Sequence, residues 1–257
     1  MTLARTLYTQ PCLYVIESIL VDLLAQKTNL PQLVAGHSLG EYVALYAAKV
    51  FDFESGLKLV KKRAELMDAG ALGKMAALMK FDREKLMLAL EETTDVVLAN
   101  DNSAGQVVIS GTPEAVEKIT NQVKAKRVMM LNVSGAFHSP LVKGASEQFL
   151  KVLNLVEFQD GIIPVISNVE PTPVTDRYKL KARLAQQMTG SVRWREIMLK
   201  LTEAKVSNVV EVGPGKALRG LLKRTCKEID LSGVGTLEQL NAIAQSNIQG
   251  LALSANL

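Results

Sequence analysis

The sequence predicts an α/β protein with a largely parallel central sheet and a smaller inserted unit. The first reason is composition, because the 257 residues are 48% hydrophobic and 22% charged, which is typical of a globular protein with a substantial core. The second is that short buried strands alternate with amphipathic helices on both sides of the middle of the chain. The third is that residues 74–133 follow a strand–helix–strand–strand–helix–strand order, which is ferredoxin-like.

The predicted core therefore comprises residues 1–73 and 134–257, and the ferredoxin-like unit comprises residues 74–133. Pro11 is expected just before the first helix, and residues 245–257 lose clear patterning and are expected to form a loose tail. In the first part of the core, the spacing predicts a helix over 12–26, a strand over 32–36 and helices over 39–50 and 53–67. In the inserted unit it predicts strands over 74–80, 95–101, 106–111 and 127–133 and helices over 82–93 and 112–126. In the second part of the core it predicts helices over 139–154, 176–188, 194–204 and 215–225 and strands over 162–168 and 208–213.

Composition and charge exclude several function classes. The net charge of +4 is mild and aromatic residues are only 5%, so a nucleic-acid partner is not expected. The positive charge is compatible with an acidic protein partner. Cys12 and Cys226 make neither a disulfide framework nor a zinc site, and both are expected to be reduced residues in or near the core. No signal peptide and no apolar run of about 18 residues is evident, so we expect a cytoplasmic protein without a membrane span or a metal site.

The residues Gly36-His37-Ser38-Leu39-Gly40 form a G-x-S-x-G pattern between a predicted strand and a predicted helix. A nucleophile elbow requires that context, because the glycines permit a tight turn that exposes the serine hydroxyl. The N-terminus of the following helix favours the negative charge that develops when a carbonyl is attacked. The alternative is that Ser38 is a helix cap in a strand–helix turn.

A nucleophilic serine needs a general base, and the sequence contains two histidines. His37 is adjacent to Ser38, and neighbouring residues in a sharp turn usually point apart. His138 lies in the loop where the chain re-enters the core, which makes it the candidate base. The sequence therefore predicts a dyad of Ser38 and His138, although a lone histidine is more often structural than catalytic.

Five stretches resemble the malonyl-CoA:acyl carrier protein transacylase family in its discrete, bacterial or plastid type. They occur in the family's order and spacing, and the resemblance extends from about Tyr8 to Gln239. It implies an α/β-hydrolase-like core with a ferredoxin-like insert and S-malonyltransferase activity in fatty acid synthesis. It also implies malonyl-CoA and phosphopantetheinylated acyl carrier protein as substrates, with no further cofactor; we expect a monomer, and a plastid location if the source is a plant or alga. The stretches are GHSLGEYVAL, GQVVISG, VSGAFHSP, SVRW and EVGPGKALRGLLKR.

The resemblance implies the three central roles of such a site. Ser38 matches the nucleophile that takes the malonyl group as an ester, and His138 matches the general base. Arg63 matches the arginine that binds the free carboxylate of the malonyl group, to which a guanidinium can donate two parallel hydrogen bonds. Without the resemblance, Arg63 is most simply a solvated charge on a helix face.

Further residues match supporting roles in the family. Leu39 matches an oxyanion donor through its backbone N–H, and Gln187 matches a backbone carbonyl that fixes the histidine tautomer without a buried carboxylate. Phe137 matches a bulky position associated with malonyl over methyl-branched substrates, a difference worth only about 1–3 kcal/mol in such a pocket. Asn100 and Asn102 resemble residues near the site entrance and are equally suited to a turn.

The stretch EVGPGKAL, over residues 211–218, is a second glycine-rich turn. Its glycines suggest a phosphate loop, but their spacing fits neither a P-loop nor a dinucleotide fingerprint. We therefore expect a structural strand–turn–helix near the active site, as the resemblance implies.

One departure from the family keeps other functions open. Family members normally open with a buried strand and an F-P-G-Q-G turn whose glutamine N–H is a second oxyanion donor, and this sequence contains no such motif. We expect a gap with unpaired edges in the central sheet, and a loss of about 3–4 kcal/mol of transition-state stabilisation from the missing donor. The alternatives to an active malonyltransferase are a truncated, impaired relative that at most binds carrier protein, an acyl hydrolase, and a polyketide trans-acyltransferase.

Overall fold

The computed structural model describes residue 3 and residues 5–69, 73–133, 135–245 and 251–255, which form an α/β protein with two sheets. The prediction of this fold class is confirmed. The helices are α1 (Thr6–Ala25), α2 (Gly40–Ala47), α3 (Phe53–Ala69), α4 (Arg83–Glu91), α5 (Pro113–Gln122), α6 (Lys143–Leu155), α7 (Arg177–Gln187), α8 (Trp194–Glu203), α9 (Ala217–Thr225) and α10 (Leu237–Gln245). The strands are β1 (Leu33–Gly36), β2 (Lys74–Met79), β3 (Val96–Ser103), β4 (Gln106–Gly111), β5 (Arg127–Met130), β6 (Val165–Ile166), β7 (Asn208–Val212), β8 (Asp230–Val234) and β9 (Leu251–Ala255).

The central sheet has the order β6-β1-β9-β7-β8, and all its pairings are parallel. Its strand β1 is buried along its whole length, as expected for a parallel strand covered by helices on both faces. The strand predicted over 162–168 is shorter than expected and reduces to β6, which begins just after Pro164, a residue with no N–H to donate to a neighbouring strand. The loops that follow β1 and β6 therefore lie side by side at one edge of the sheet.

The presence of β9 shows that two predictions from the sequence, a loose C-terminal tail and a gap in the central sheet, are wrong for the described residues. Residues 251–255 are part of the central sheet rather than a loose tail; the rest of that predicted tail beyond Gln245 lies outside the described residues. Within the described sheet there is also no gap beside β1, because Ala255 pairs with both Gly36 of β1 and Val212 of β7. Backbone donors and acceptors on the facing edges of β1 and β7 require partners, and β9 supplies them on both sides.

The second sheet is antiparallel, has the order β3-β4-β2-β5, and is built from the strand–helix–strand–strand–helix–strand segment. Successive residues of β2 point to opposite faces. Ala76 and Leu78 pack with buried residues of α4 and α5, whereas Met75 and Ala77 pack with the main core. The sheet thus has one face toward its own helices and one toward the rest of the protein, where a cleft forms.

The first helix departs from its predicted start. Pro11 lies inside α1, which begins at Thr6 rather than after the proline, so the first turns precede the ring. By length and composition alone α1 could cross a membrane, contrary to the sequence expectation. However, Tyr14, Glu17 and Leu24 are buried in the folded chain, and α1 packs on α3 and α2. Cys12 on this helix is exposed rather than near the core, whereas Cys226 is buried as expected.

Candidate active site

The turn between β1 and α2 presents Ser38 at the end of the central sheet. Ser38 has a φ of 52°, in the left-handed region that a serine adopts only at some energetic cost. At Gly36 an added Cβ would lie 1.9 Å from the carbonyl carbon of Gly40, so no larger residue fits there. These features are those of a nucleophile elbow, in which a strained turn projects the hydroxyl away from the sheet.

The structure brings Ser38 and His138 together. The Oγ of Ser38 lies 2.8 Å from Nε2 of His138, and Nδ1 of His138 lies 3.0 Å from the carbonyl oxygen of Gln187 and 3.2 Å from that of Gly190. Two carbonyl acceptors at Nδ1 require a proton there, so Nε2 is left as the acceptor for the serine hydroxyl. The dyad is oriented by backbone carbonyls rather than by a carboxylate.

The electrostatic surroundings keep His138 neutral. The pKa of the His138 imidazole is lowered to about 3, chiefly by burial and in addition by the positive charge of Arg63. At neutral pH the ring is therefore ready to accept a proton. His37 is not hydrogen-bonded to the dyad; its Nε2 lies 2.8 Å from Oδ1 of Asn102, and burial lowers the pKa of its imidazole to about 4.

Arg63 of α3 reaches the same point from beneath the cleft. It is 1% exposed, so the interpretation as a solvated helix-face charge is wrong. Its Nη2 donates to Oγ of Ser38 over 2.9 Å and to Oε1 of Gln187 over 3.4 Å, and its Nη1 donates to Oε1 of Gln10. Among the described residues no carboxylate forms an ion pair with Arg63. A buried cation without a paired anion favours an anionic ligand.

A cleft of about 850 Å³ lies between the core and the second sheet, and the dyad opens into it. The predicted site residues that line this cleft are Ser38, Leu39, Arg63, Phe137, His138, Asn100 and Asn102. Apolar residues of the second sheet and the segment that follows it also line the cleft, namely Met75, Val108 and Leu131. The backbone N–H of Leu39 donates no hydrogen bond to the described residues, so it is available to an oxyanion. Phe137 is 7% exposed and faces this space. In the part of the chain that the structure describes, no cluster of three or more His, Cys, Asp or Glu side chains could hold a metal.

Three further buried polar residues contact this site, and the sequence alone does not predict them. Gln10 holds the guanidinium of Arg63, Asn168 accepts a hydrogen bond from the backbone of Ser38, and Glu41 accepts one from the side chain of Gln187. Glu41 carried a weak signal, because acidic residues favour the first turn of a helix. Gln10 and Asn168 carried none, since each approaches the site from a distant part of the chain.

Comparison with known proteins gives one consistent result. Residues 1–249 match the acyl transferase domain family. The chain is 56% identical over 242 residues to a malonyl CoA-acyl carrier protein transacylase from Synechocystis sp., which covers 94% of this chain and 83% of that protein. The crystal structure of the transacylase from Synechocystis sp. PCC 6803 aligns with a TM-score of 0.92 at 56% identity, over 93% of this chain and 82% of that one. A malonyl-transacylase in complex with its type II PKS acyl-carrier protein aligns with a TM-score of 0.90 at 34% identity, over 95% of this chain and 82% of that one.

Proposed function

This chain belongs to the malonyl-CoA:acyl carrier protein transacylase family, and we propose that it transfers a malonyl group from malonyl-CoA to the phosphopantetheine thiol of acyl carrier protein. One observation carries the proposal. The Oγ of Ser38 lies 2.8 Å from the neutral base His138 and 2.9 Å from the buried guanidinium of Arg63. A nucleophile, its base and a binding group for a carboxylate are therefore within one small volume.

The first half of the reaction forms an ester on Ser38. Nε2 of His138 takes the hydroxyl proton as Oγ attacks the thioester carbonyl carbon of malonyl-CoA. The oxyanion of the tetrahedral intermediate accepts a hydrogen bond from the N–H of Leu39, near the positive end of α2. When the intermediate collapses, the C–S bond breaks, and the protonated His138 returns its proton to the departing coenzyme A thiolate.

The second half reverses these roles with a different thiol. The pantetheine thiol of the carrier protein gives its proton to His138 and attacks the malonyl ester carbonyl. The C–O bond to Ser38 then breaks, and His138 reprotonates the serine oxygen. Because Ser38, His138 and Arg63 all come from one chain, we propose that a monomer is sufficient for both halves.

Arg63 gives the site its preference for malonyl. The carboxylate of a malonyl group is separated from the acyl carbonyl by one methylene, so it comes close to the nucleophile when the carbonyl is attacked. Nη2 of Arg63 is already at Ser38, which is where such a carboxylate would lie. An acyl hydrolase that acts on neutral chains would leave this buried charge unpaired, which is unfavourable.

We propose that the product, malonyl acyl carrier protein, is used in fatty acid synthesis. Polyketide synthesis is the second candidate, because one structurally similar transacylase is bound to a type II PKS acyl-carrier protein. The chemistry at Ser38 is the same for both carriers.

Substitution of Arg63 tests the proposal against hydrolysis. Arg63→Ala should lower kcat/KM for malonyl-CoA by about 100- to 1000-fold, because the substrate carboxylate would lose its buried partner. The rate with acetyl-CoA should change by less than about threefold. Arg177→Ala, which removes a partly exposed arginine that pairs with Asp160, should change neither rate. Both acyl donors are assayed with holo acyl carrier protein and with water as acceptors. Equal losses for the two donors, or water as the preferred acceptor, would contradict a malonyltransferase.

A further inference from the structure

The strained backbone of Ser38 is held by side chains that come from two distant elements. Oδ1 of Asn168 accepts from the N–H of Ser38 over 2.8 Å, and Nδ2 of Asn168 donates to the carbonyl of Gly36 over 2.6 Å. Nε2 of Gln187 donates to the carbonyl of Ser38 over 2.7 Å. Both peptide groups that flank the Ser38 Cα are therefore fixed by buried amides rather than by neighbouring backbone alone.

Asn168 is in place because of the sheet register. It follows β6 by two residues, as Ser38 follows β1, and β6 pairs in parallel with β1 through Ile166 and Ala35. Its amide presents one acceptor and one donor, which match the N–H of Ser38 and the carbonyl of Gly36. Because the N–H of Ser38 is occupied in this way, the N–H of Leu39 is the donor of this turn that has no acceptor among the described residues.

Glu41 joins the two amides into one unit. Its Oε2 accepts from the backbone N–H of Asn168 over 3.2 Å and from Nε2 of Gln187 over 2.9 Å. Glu41 is 1% exposed, and Asn168 and Gln187 are fully buried. Burial raises the pKa of the Glu41 carboxyl, whereas the hydrogen bonds from Gln187 and Asn168 oppose that rise.

The same unit reaches the base and the substrate-binding group. The two hydrogens on Nε2 of Gln187 are directed to Ser38 and Glu41, which leaves its Oε1 facing Arg63. The backbone carbonyl of Gln187 accepts from Nδ1 of His138. A displacement of Gln187 would therefore move the nucleophile, the base and the guanidinium together.

We propose that Asn168 and Glu41 are positioning residues, which hold the elbow backbone so that Ser38 and the N–H of Leu39 are aligned for attack on an acyl carbonyl. We call Asn168, Glu41 and Gln187 the elbow clamp. None of its three residues lines the cleft, so we expect its effect on the rate of acylation rather than on binding. The inference deepens the proposed function, because it concerns the same nucleophile.

The test uses two reactions of the full chain. The first is single-turnover acylation by malonyl-CoA. The second is labelling of Ser38 by an alkyl fluorophosphonate, in which the serine oxygen displaces fluoride from phosphorus and no malonyl group is involved. If the wild-type chain is labelled but is not acylated by malonyl-CoA, the proposed function fails while the elbow clamp is still tested.

Asn168→Asp is the main variant. At pH 8 the introduced carboxylate cannot donate to the carbonyl of Gly36, so acylation and labelling should both slow by about 30- to 100-fold while KM changes less than about threefold. Burial and the neighbouring Glu41 raise the pKa of that introduced carboxyl above its ordinary value of about 3.9, so partial protonation at pH 5.5 restores a donor and the deficit relative to wild type should shrink by at least about threefold. Labelling within about threefold of wild type at pH 8, or a deficit that does not depend on pH, would overturn the proposal.

Two further variants separate positioning from general destabilisation. Glu211→Gln alters another buried carboxyl group, on β7 of the central sheet and outside the elbow clamp. It should leave the rate of labelling per folded molecule unchanged within about twofold even if its midpoint of urea unfolding falls. Glu41→Gln should slow labelling by about 5- to 10-fold, because an amide oxygen must replace the carboxyl oxygen that accepts two hydrogen bonds. If Asn168→Asp does not fold, Glu41→Gln decides the matter, and an unchanged rate of labelling in that variant would overturn the proposal.

Discussion

Two strand–turn–helix units flank β9 at the same edge of the central sheet, and they use their helix N-termini differently. Ala255 of β9 is in register with Gly36, before the turn into α2, and with Val212, before the turn into α9. In the second unit, the carboxylate of Glu211 accepts from the backbone N–H groups of Leu218 and Arg219 over 2.8 and 3.2 Å. The N-terminus of α9 is therefore capped by its own strand, which agrees with a structural role for EVGPGKAL.

The first unit leaves its corresponding donor free. Glu41, the acidic residue in the first turn of α2, turns toward Asn168 and Gln187, and the N–H of Leu39 has no acceptor among the described residues. The difference shows that a glycine turn before a helix can bind an anion only where the N–H groups at the start of that helix are not already bonded within the chain. Sequence spacing excluded a phosphate loop in the second unit, but the capping carboxylate is the physical reason.

The largest expected difference between the two units is catalytic. His138→Ala should slow single-turnover acylation by malonyl-CoA by about 10³- to 10⁴-fold, because Ser38 would lose the base that takes its proton. Glu211→Ala should change the same rate by less than about threefold when the values are normalised to folded protein. Rapid-quench kinetics with both variants checks this contrast, and a comparable loss in the two would mean that the second unit takes part in catalysis.

The next effect is on stability, and here we expect the large change in the second unit rather than in the first. Glu211→Ala should lower the free energy of unfolding by about 2–4 kcal/mol, because buried N–H groups at the start of α9 and Nε of Arg219 would lose their acceptor. Urea denaturation measures the change, with Glu203→Ala as the control, since its ion pair with Lys200 is exposed and should contribute less than about 1 kcal/mol. A loss no larger than that of the control would show that the cap at α9 is unimportant.

The smallest effect concerns the dependence of acylation on pH. Because the pKa of His138 is lowered to about 3, the base stays neutral and the rate per folded molecule should be flat from pH 8 to about pH 5. Arg63→Ala removes a charge that helps to lower this pKa, so its acidic limb should move toward neutral pH. An acidic limb centred near 6.5 in the wild type would contradict the buried, neutral imidazole.

The same titration predicts how stability changes with pH. His37 and His138 have folded-state pKa values of about 4 and about 3, below the ordinary value of 6.5 that applies in the unfolded chain. Below pH 6.5 the unfolded chain therefore binds more protons than the folded chain, and stability falls as the pH falls, by up to about 1.4 kcal/mol per pH unit for each histidine. Urea unfolding at pH 7 and pH 5 checks this, and His138→Gln should reduce the slope.

The parts of the fold that the sequence predicts are those with local signals. The turn at Gly36–Gly40 and the inserted order over 74–133 follow from spacing and periodicity within short windows. The sequence does not predict β9, because the pairing of this strand depends on the facing edges of β1 and β7 rather than on its own pattern. The sequence also misplaces the start of α1, because proline favours a helix boundary whereas this helix continues through Pro11.

The residues of the candidate site differ in the same respect. A local motif predicts Ser38 as the nucleophile and elimination predicts His138 as its base, whereas only the family resemblance implies the role proposed for Arg63. Asn168 lies 130 residues from Ser38 and contacts it only because β6 pairs with β1, so no local pattern could identify it. Buried polar groups of this kind become visible only when their hydrogen-bond partners are known.

The most direct test of the central claim is the intact mass of the chain after brief incubation with malonyl-CoA in the absence of carrier protein. We predict one malonyl adduct on the wild type, none on Ser38→Ala, and loss of the wild-type adduct when holo acyl carrier protein is added. No adduct on the wild type, or an equal adduct on Ser38→Ala, would contradict the assignment of Ser38 as the nucleophile that carries the malonyl group.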